Sequence, residues 1–193
     1  MRIRAINVRT TVLAAVSLAV LLLGVVVNGP ADDVSAQGAA ADYFLKIETI
    51  EGDVANGSHT GAIAVESWSW GETNSTQVVG SGAGAGKVKV NDFHFTMRVS
   101  KATPKLMLYC AQGRVIPTVT LTGVADGQTF IVWELKNVII SSYSIGADRT
   151  SGPPTDAVKM RFSRIVVTHI THNADGTQTR NTAGWDLAKA KSV

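Results

Sequence analysis

The run Gly80-Ser81-Gly82-Ala83-Gly84-Ala85-Gly86, followed by Lys87, is the first place where spacing suggests chemistry, since closely set glycines before a lysine can cradle phosphates. A phosphate loop ending at Gly86-Lys87 would need glycine at position 81 and a hydroxyl residue at 88, where Ser81 and Val88 stand. The run also leads into a strand-like segment, so no helix N-terminus is available to receive an anion. It reads as an arm rather than a nucleotide site. His169 and His172 are three apart, which in a strand sends the rings to opposite faces, and no third ligand lies nearby to complete a tetrahedral zinc set. Cys110 is the single cysteine, cannot form an internal disulfide, and sits among apolar residues as a small buried hydrophobe rather than a nucleophile. The serines lack a G-x-S-x-G elbow and any base that sequence can place beside them. The expectation is a protein that is not an enzyme, with no catalytic residue, metal or cofactor.

The elements that position these residues are mostly strands. Two-residue alternation sets Tyr43, Leu45 and Ile47 against Phe44, Lys46 and Glu48. It recurs through Phe93, Phe95 and Met97, then through residues 115–124, 129–144 and 158–170 and a tail reaching Trp185. Asp126-Gly127 and Asp175-Gly176 fall between such runs, and Asp-Gly tolerates the positive φ of tight hairpins. The fold class that follows is antiparallel all-β. One segment departs from it: Thr103 as a cap, Pro104 at the first helical position and Gly113 as a left-handed stop predict a helix over residues 104–112. Leu106, Met107, Tyr109 and Cys110 are too apolar for a fully solvated helix, so it should plug one end or side of the β structure. Irregular stretches remain at 51–61, 71–86 and 146–156, and loops of that length are usually functional or disordered.

Arg2, Arg4 and Arg9, the uncharged stretch from Val12 to Val27 and the turn formers Asn28-Gly29-Pro30 have the form of a secretory signal, predicting a division into signal 1–36 and domain 37–193. Small residues at Val34-Ser35-Ala36 favour cleavage after Ala36, with Ala41 as a second option. Removing three arginines and two aspartates lowers the formal net charge from +3 to +2, and only scattered lysine pairs remain. That balance gives no nucleic-acid footprint, and no membrane association is expected of the mature form. The localisation expected is secreted, extracellular or periplasmic.

The stretch AIAVESWSWGETN, residues 62–74, is the hardest to place on a strand. Uninterrupted alternation would put Ile63, Val65, Ser67 and Ser69 on one face and Ala64, Glu66, Trp68 and Trp70 on the other, leaving neither face polar. The two tryptophans could bury roughly 300 to 500 Å², an upper bound of about 8 to 12 kcal/mol. Both faces should therefore be covered, or one should line an enclosed space. Trp68 and Trp70 are expected in a core or interface.

DYFLKIETIEGD, AIAVESWSWG, GAGKVKVNDFHFT, SKATPKLMLYCAQGRVIP, LKNVIISSYSIG and ADGTQTR with AGWDLAKAKSV resemble, in order and spacing, the Hcp family, the tube proteins of the type VI secretion system. The similarity spans residues 42–193. It implies an antiparallel two-sheet β-barrel with one short α-helix, assembling as homo-hexamers that stack into a tube, with spike, sheath and effector cargo as partners. By the same resemblance Ser69, with its neighbour Ser67, matches a lumen-facing position that holds effectors. The loop carrying Gly71, Gly80, Gly82, Gly84 and Gly86 resembles the arm that reaches the next ring. Members of the family are ordinarily made without a signal segment, so this N-terminus departs from the pattern. Two alternatives follow: an exported Hcp-like ring former in the periplasm or outside the cell, or a secreted β-sandwich module that binds a ligand through its long loops.

Overall fold

A computed structural model of the protein describes residues 40–55, 57–74, 88–147, 149 and 152–193. The expected signal segment, 1–36, lies outside the described residues, as do Gly80, Gly82, Gly84 and Gly86. The chain from Gly38 to Val193 forms one compact unit.

Period-two patterning dictates strands, and strands dominate. They run β1 (Asp42–Ile47), β2 (Ile63–Val65), β3 (Ser67–Ser69), β4 (Glu72–Asn74), β5 (Val88–Val90) and β6 (Phe93–Arg98). After helix α1 (Thr103–Gln112) follow β7 (Val115–Ala125), β8 (Gln128–Gly146), β9 (Thr155–Arg161), β10 (Arg164–His172), β11 (Gln178–Asp186) and β12 (Lys191–Ser192). All pairings are antiparallel. One layer has the order β12-β11-β10-β8-β7-β1-β2, and the second the order β3-β6-β9-β8. The two share β8, whose first half pairs with β7 and β10 and whose last part, from Ile139, pairs with β9. Asn137 at the change-over has φ 52, a left-handed conformation that asparagine tolerates, and its side-chain amide donates to Ser163 Oγ at 2.9 Å. The circuit from β8 through β7, β1 and β2 and back through β6 and β9 is completed at Glu66 by one backbone bond, Glu66 N–H to Thr96 O at 2.9 Å.

The core lies between the layers. Leu45, Ile47, Val119, Leu121, Leu135 and Ile165 come from one, and Phe93, Phe95, Met97, Val158 and Met160 from the other. On β1, β6 and β9 the buried residues occur at every second position, as the sequence pattern requires. The Asp126-Gly127 hairpin has positive φ at both residues, 51 and 73, which is the type I′ geometry suited to twisted strands. At Asp175-Gly176 only the glycine is left-handed. The connection is a wider loop closed by Asn173 N–H to Thr177 O at 2.9 Å, with Asp175 Oδ1 accepting from Thr177 N at 2.9 Å.

Helix α1 begins one residue earlier than expected, and Thr103 does not cap it. Ala102 holds the cap position without a side-chain bond, and the Thr103 hydroxyl instead donates to Asp156 on β9. Gly113 supplies the left-handed stop, φ 59, with its N–H bonded to Cys110 O at 3.2 Å. Leu106 and Tyr109 are buried in the core cluster, three apart on one helical face. Met107 is 54% exposed and Cys110 only half-buried, so the helix closes one side of the core with a narrower apolar stripe than its composition suggested.

Candidate functional site

The unusual stretch 62–74 holds three short strands, β2, β3 and, at its end, β4. β2 pairs with β1 and β3 pairs with β6, with Glu66 between them spending its N–H on Thr96 O. That one residue outside either ladder resets the alternation. Ile63 is buried and Val65 packs against the core from odd positions, whereas Trp68 and Trp70 reach the same core from even ones. The assignment of Ile63, Val65, Ser67 and Ser69 to one shared face is thereby corrected: the aliphatic pair points inward and the serine pair outward.

Trp68 anchors the inward side. Its ring meets Tyr43 edge-on at 5.6 Å, stacks on Phe93 at 5.8 Å and meets Trp133 edge-on at 5.5 Å. Trp70 continues the cluster to Trp133 at 5.5 Å and Phe162 at 6.3 Å. Sequence reasoning placed neither Trp133 nor Phe162 here, because cross-strand register is not visible before the strands are paired.

The outward side is polar and made mostly of small side chains. Direct partners across antiparallel strands share a face, so the pairing puts Ser69, His94, Lys159 and Ser142 in one row. Ser67, Thr96, Ala157 and Ser144 form the next row, with Ser67 Oγ and Thr96 Oγ1 hydrogen-bonded at 2.7 Å. Ser67 and Ser69 are both exposed. Ion pairs flank the rows: Arg98 with Glu66, and Arg161 Nε with Asp92 Oδ1 at 3.2 Å. Asp92 also accepts from the Ser141 hydroxyl at 2.6 Å. A shallow cleft of about 500 Å³ runs over Ser69, Asn91, Asp92, His94 and Lys159.

Beside this face β4 and β5 form a separate two-stranded ribbon, paired Glu72 to Val90 and Asn74 to Val88. It is the described base of the glycine-ended loop. Gly71 is half-buried where the ribbon leaves the body, and its carbonyl accepts from Asn91 N–H at 3.0 Å. Trp70, Val88, Ile165, Val167 and Trp185 line an apolar cleft of about 450 Å³ at that base.

Two features escaped the sequence. Asp156 is fully buried and accepts from the hydroxyls of Thr103 and Tyr143, the latter at 2.9 Å. Burial first, and the Asp156 carboxylate second, push the Tyr143 phenol up to about 12. The alternation around DAVKM could have flagged Asp156 as core-facing. On the opposite side of the molecule, His59 stacks on Phe44 at 4.4 Å, beside a groove of about 790 Å³ lined by Thr120, Thr122, Val132 and Arg180 among others. His172 Nε2 lies 2.8 Å from Thr129 O, and His169 is exposed one strand face away. Among the described residues no three His, Cys, Asp or Glu side chains come together as metal ligands, and no helix is long and apolar enough to cross a membrane.

The family model described as type VI secretion system effector, Hcp, matches residues 44–169. The chain belongs to the Hcp family. The Hcp1 protein of Pseudomonas aeruginosa is 34% identical over 155 residues, covering 77% of this chain and 96% of the relative. Hcp1 from Salmonella typhimurium is similar in structure, with a TM-score of 0.66 at 27% identity over 80% of this chain and 99% of that one. A solved structure of a type six secretion system protein has the same fold, with a TM-score of 0.74 at 23% identity over 80% of this chain and all of the other. The fold implied by the resemblance is the one observed, and the protein is an Hcp tube or ring subunit of a type VI secretion system.

Proposed function

We propose that the protein assembles as hexameric rings that stack into a tube, with the Ser67 and Ser69 face turned to a shared lumen that carries secreted effector proteins. One observation supports this above the others: Trp68 is committed to the core, while Ser67 and Ser69 beside it lie exposed on a face of mostly small polar side chains. Small side chains leave a channel wide, and hydroxyls keep its wall wetted without strong adhesion. The β4–β5 ribbon, leaving the body at Gly71, supports the reading of an arm that reaches the adjacent ring, and Gly80, Gly82, Gly84 and Gly86 fall between its two strands in the sequence. In this reading the protein is a structural subunit rather than an enzyme. Its partners are further copies of itself, spike and sheath proteins, and cargo. It works as a secreted component, and the N-terminal segment 1–36 directs an exported form.

Negative-stain microscopy of the purified full chain tests the assembly, with rings and short stacks expected. Plain monomers at high protein concentration would sink it. Ser69→Gln should leave the rings intact and reduce co-purification of a cargo protein, because it narrows the lumen without entering the core.

A further inference from the structure

The wall that carries Ser69 has an unbalanced charge. Its two arginines are neutralised in place, Arg98 by Glu66 and Arg161 by Asp92. Lys159 is exposed at the centre of the same face, and among the described residues no acidic side chain pairs with it. Its cross-strand neighbour on β6 is His94, and the neighbour of His94 on β3 is Ser69. The groups facing His94 are therefore Ser69, Lys159 and, from the turn before β6, Asn91 and Asp92. Asp92 is already engaged by Arg161 and Ser141, so the row Ser69–His94–Lys159 presents one positive charge, that of Lys159, with no acidic partner among the described residues.

We infer that this row selects cargo with an acidic surface, Lys159 supplying the attraction and Ser69 the close approach. The inference rests on the lumen reading above and names the chemistry of the partner it would hold. Ring symmetry repeats the row in every subunit, so a charge that is weak on one protomer becomes a band around the channel, where like-charged neighbours and a narrow aqueous space focus the field. An acidic protein entering the ring meets that band from all sides, and a basic one is repelled. Because the row is solvated, the attraction is of the salt-sensitive kind.

The test uses purified full-length protein and two fluorescein-labelled probes, an oligoglutamate peptide and an oligolysine peptide, read by fluorescence anisotropy, with the same samples imaged on grids. Oligoglutamate should bind the rings and weaken as salt is raised. Lys159→Glu should weaken oligoglutamate binding by at least about tenfold, equivalent to about 1.4 kcal/mol, and admit oligolysine. Lys191→Glu, an equal charge change on β12, should alter neither. Equal binding of the two peptides, or oligoglutamate binding indifferent to Lys159→Glu while rings are present, would overturn the charge assignment alone. Absence of rings would instead remove the lumen reading on which it stands.

Discussion

β9 and the β2–β3 segment lie in the same small barrel and meet the same problem, a wall that must be apolar within and polar without. β9 solves it with unbroken alternation: Asp156, Val158 and Met160 point inward, and Ala157 and Lys159 outward. The β2–β3 segment cannot, because it must change partners from β1 to β6 midway. The interruption at Glu66 lets odd-numbered Ile63 and even-numbered Trp68 reach one core. A strand that changes neighbours can also change parity, and a failed amphipathic pattern then marks the junction.

The comparison breaks most completely in the double variant Ser67→Trp with Trp68→Ser, which gives the segment the parity that unbroken alternation from Ile63 would demand. With the alternation reset at Glu66, the indole would then stand on the outer face and a hydroxyl would face the core. The expected loss exceeds about 5 kcal/mol, on the scale of a domain's whole stability, and is read as loss of a cooperative thermal transition and of near-ultraviolet circular dichroism. Trp68→Ala leaves the junction but empties its anchor, costing about 3 to 5 kcal/mol by denaturant unfolding. A smaller value would mean that Trp68 is held less firmly than its three ring contacts imply.

For β9 the matching test is Tyr143→Phe on neighbouring β8, which removes a donor from buried Asp156 and should cost about 1 to 3 kcal/mol. The phenol has a second signature. Its folded-state pKa is raised from 10.0 to about 12, so its contribution is complete below pH 10. Above that value the unfolded chain releases the proton while the folded one retains it, and the stabilisation is lost as pH rises towards about 12. Stability profiles of the parent and Tyr143→Phe should converge across that window. The smallest effect belongs to Ser69→Gln, within about 0.5 kcal/mol of the parent, as for an exposed site. Unfolding by this change would return Ser69 to the core and reverse the face assignment.

Much of the fold was legible because alternation is a local signal. β1, β6 and β9, the Asp126-Gly127 turn and the Gly113 stop all follow from residues within a few positions of one another. The parity change at Glu66 was not legible, since it depends on which strands lie beside β2 and β3. For the same reason Thr103 was read as a cap: its hydroxyl is claimed by Asp156, 53 residues away in the chain. Composition counts apolar residues without locating the helical stripe, so it could not place Met107 outside that stripe. Of the candidate site, the serines and tryptophans could be named from sequence, while the row joining Ser69 to His94 and Lys159 required the register of three strands.

β8 runs 19 residues through both layers, with Asn137 where it passes from one to the other. Fully extended it would span roughly 60 Å at about 3.3 Å per residue. Because a single covalent strand is woven into both layers, a pull that separates them must either tear its hydrogen bonds along one side together or stretch the backbone itself. A subunit pushed along a tube thus bears mechanical load as one piece, and shear falls on many bonds at once rather than unzipping them singly.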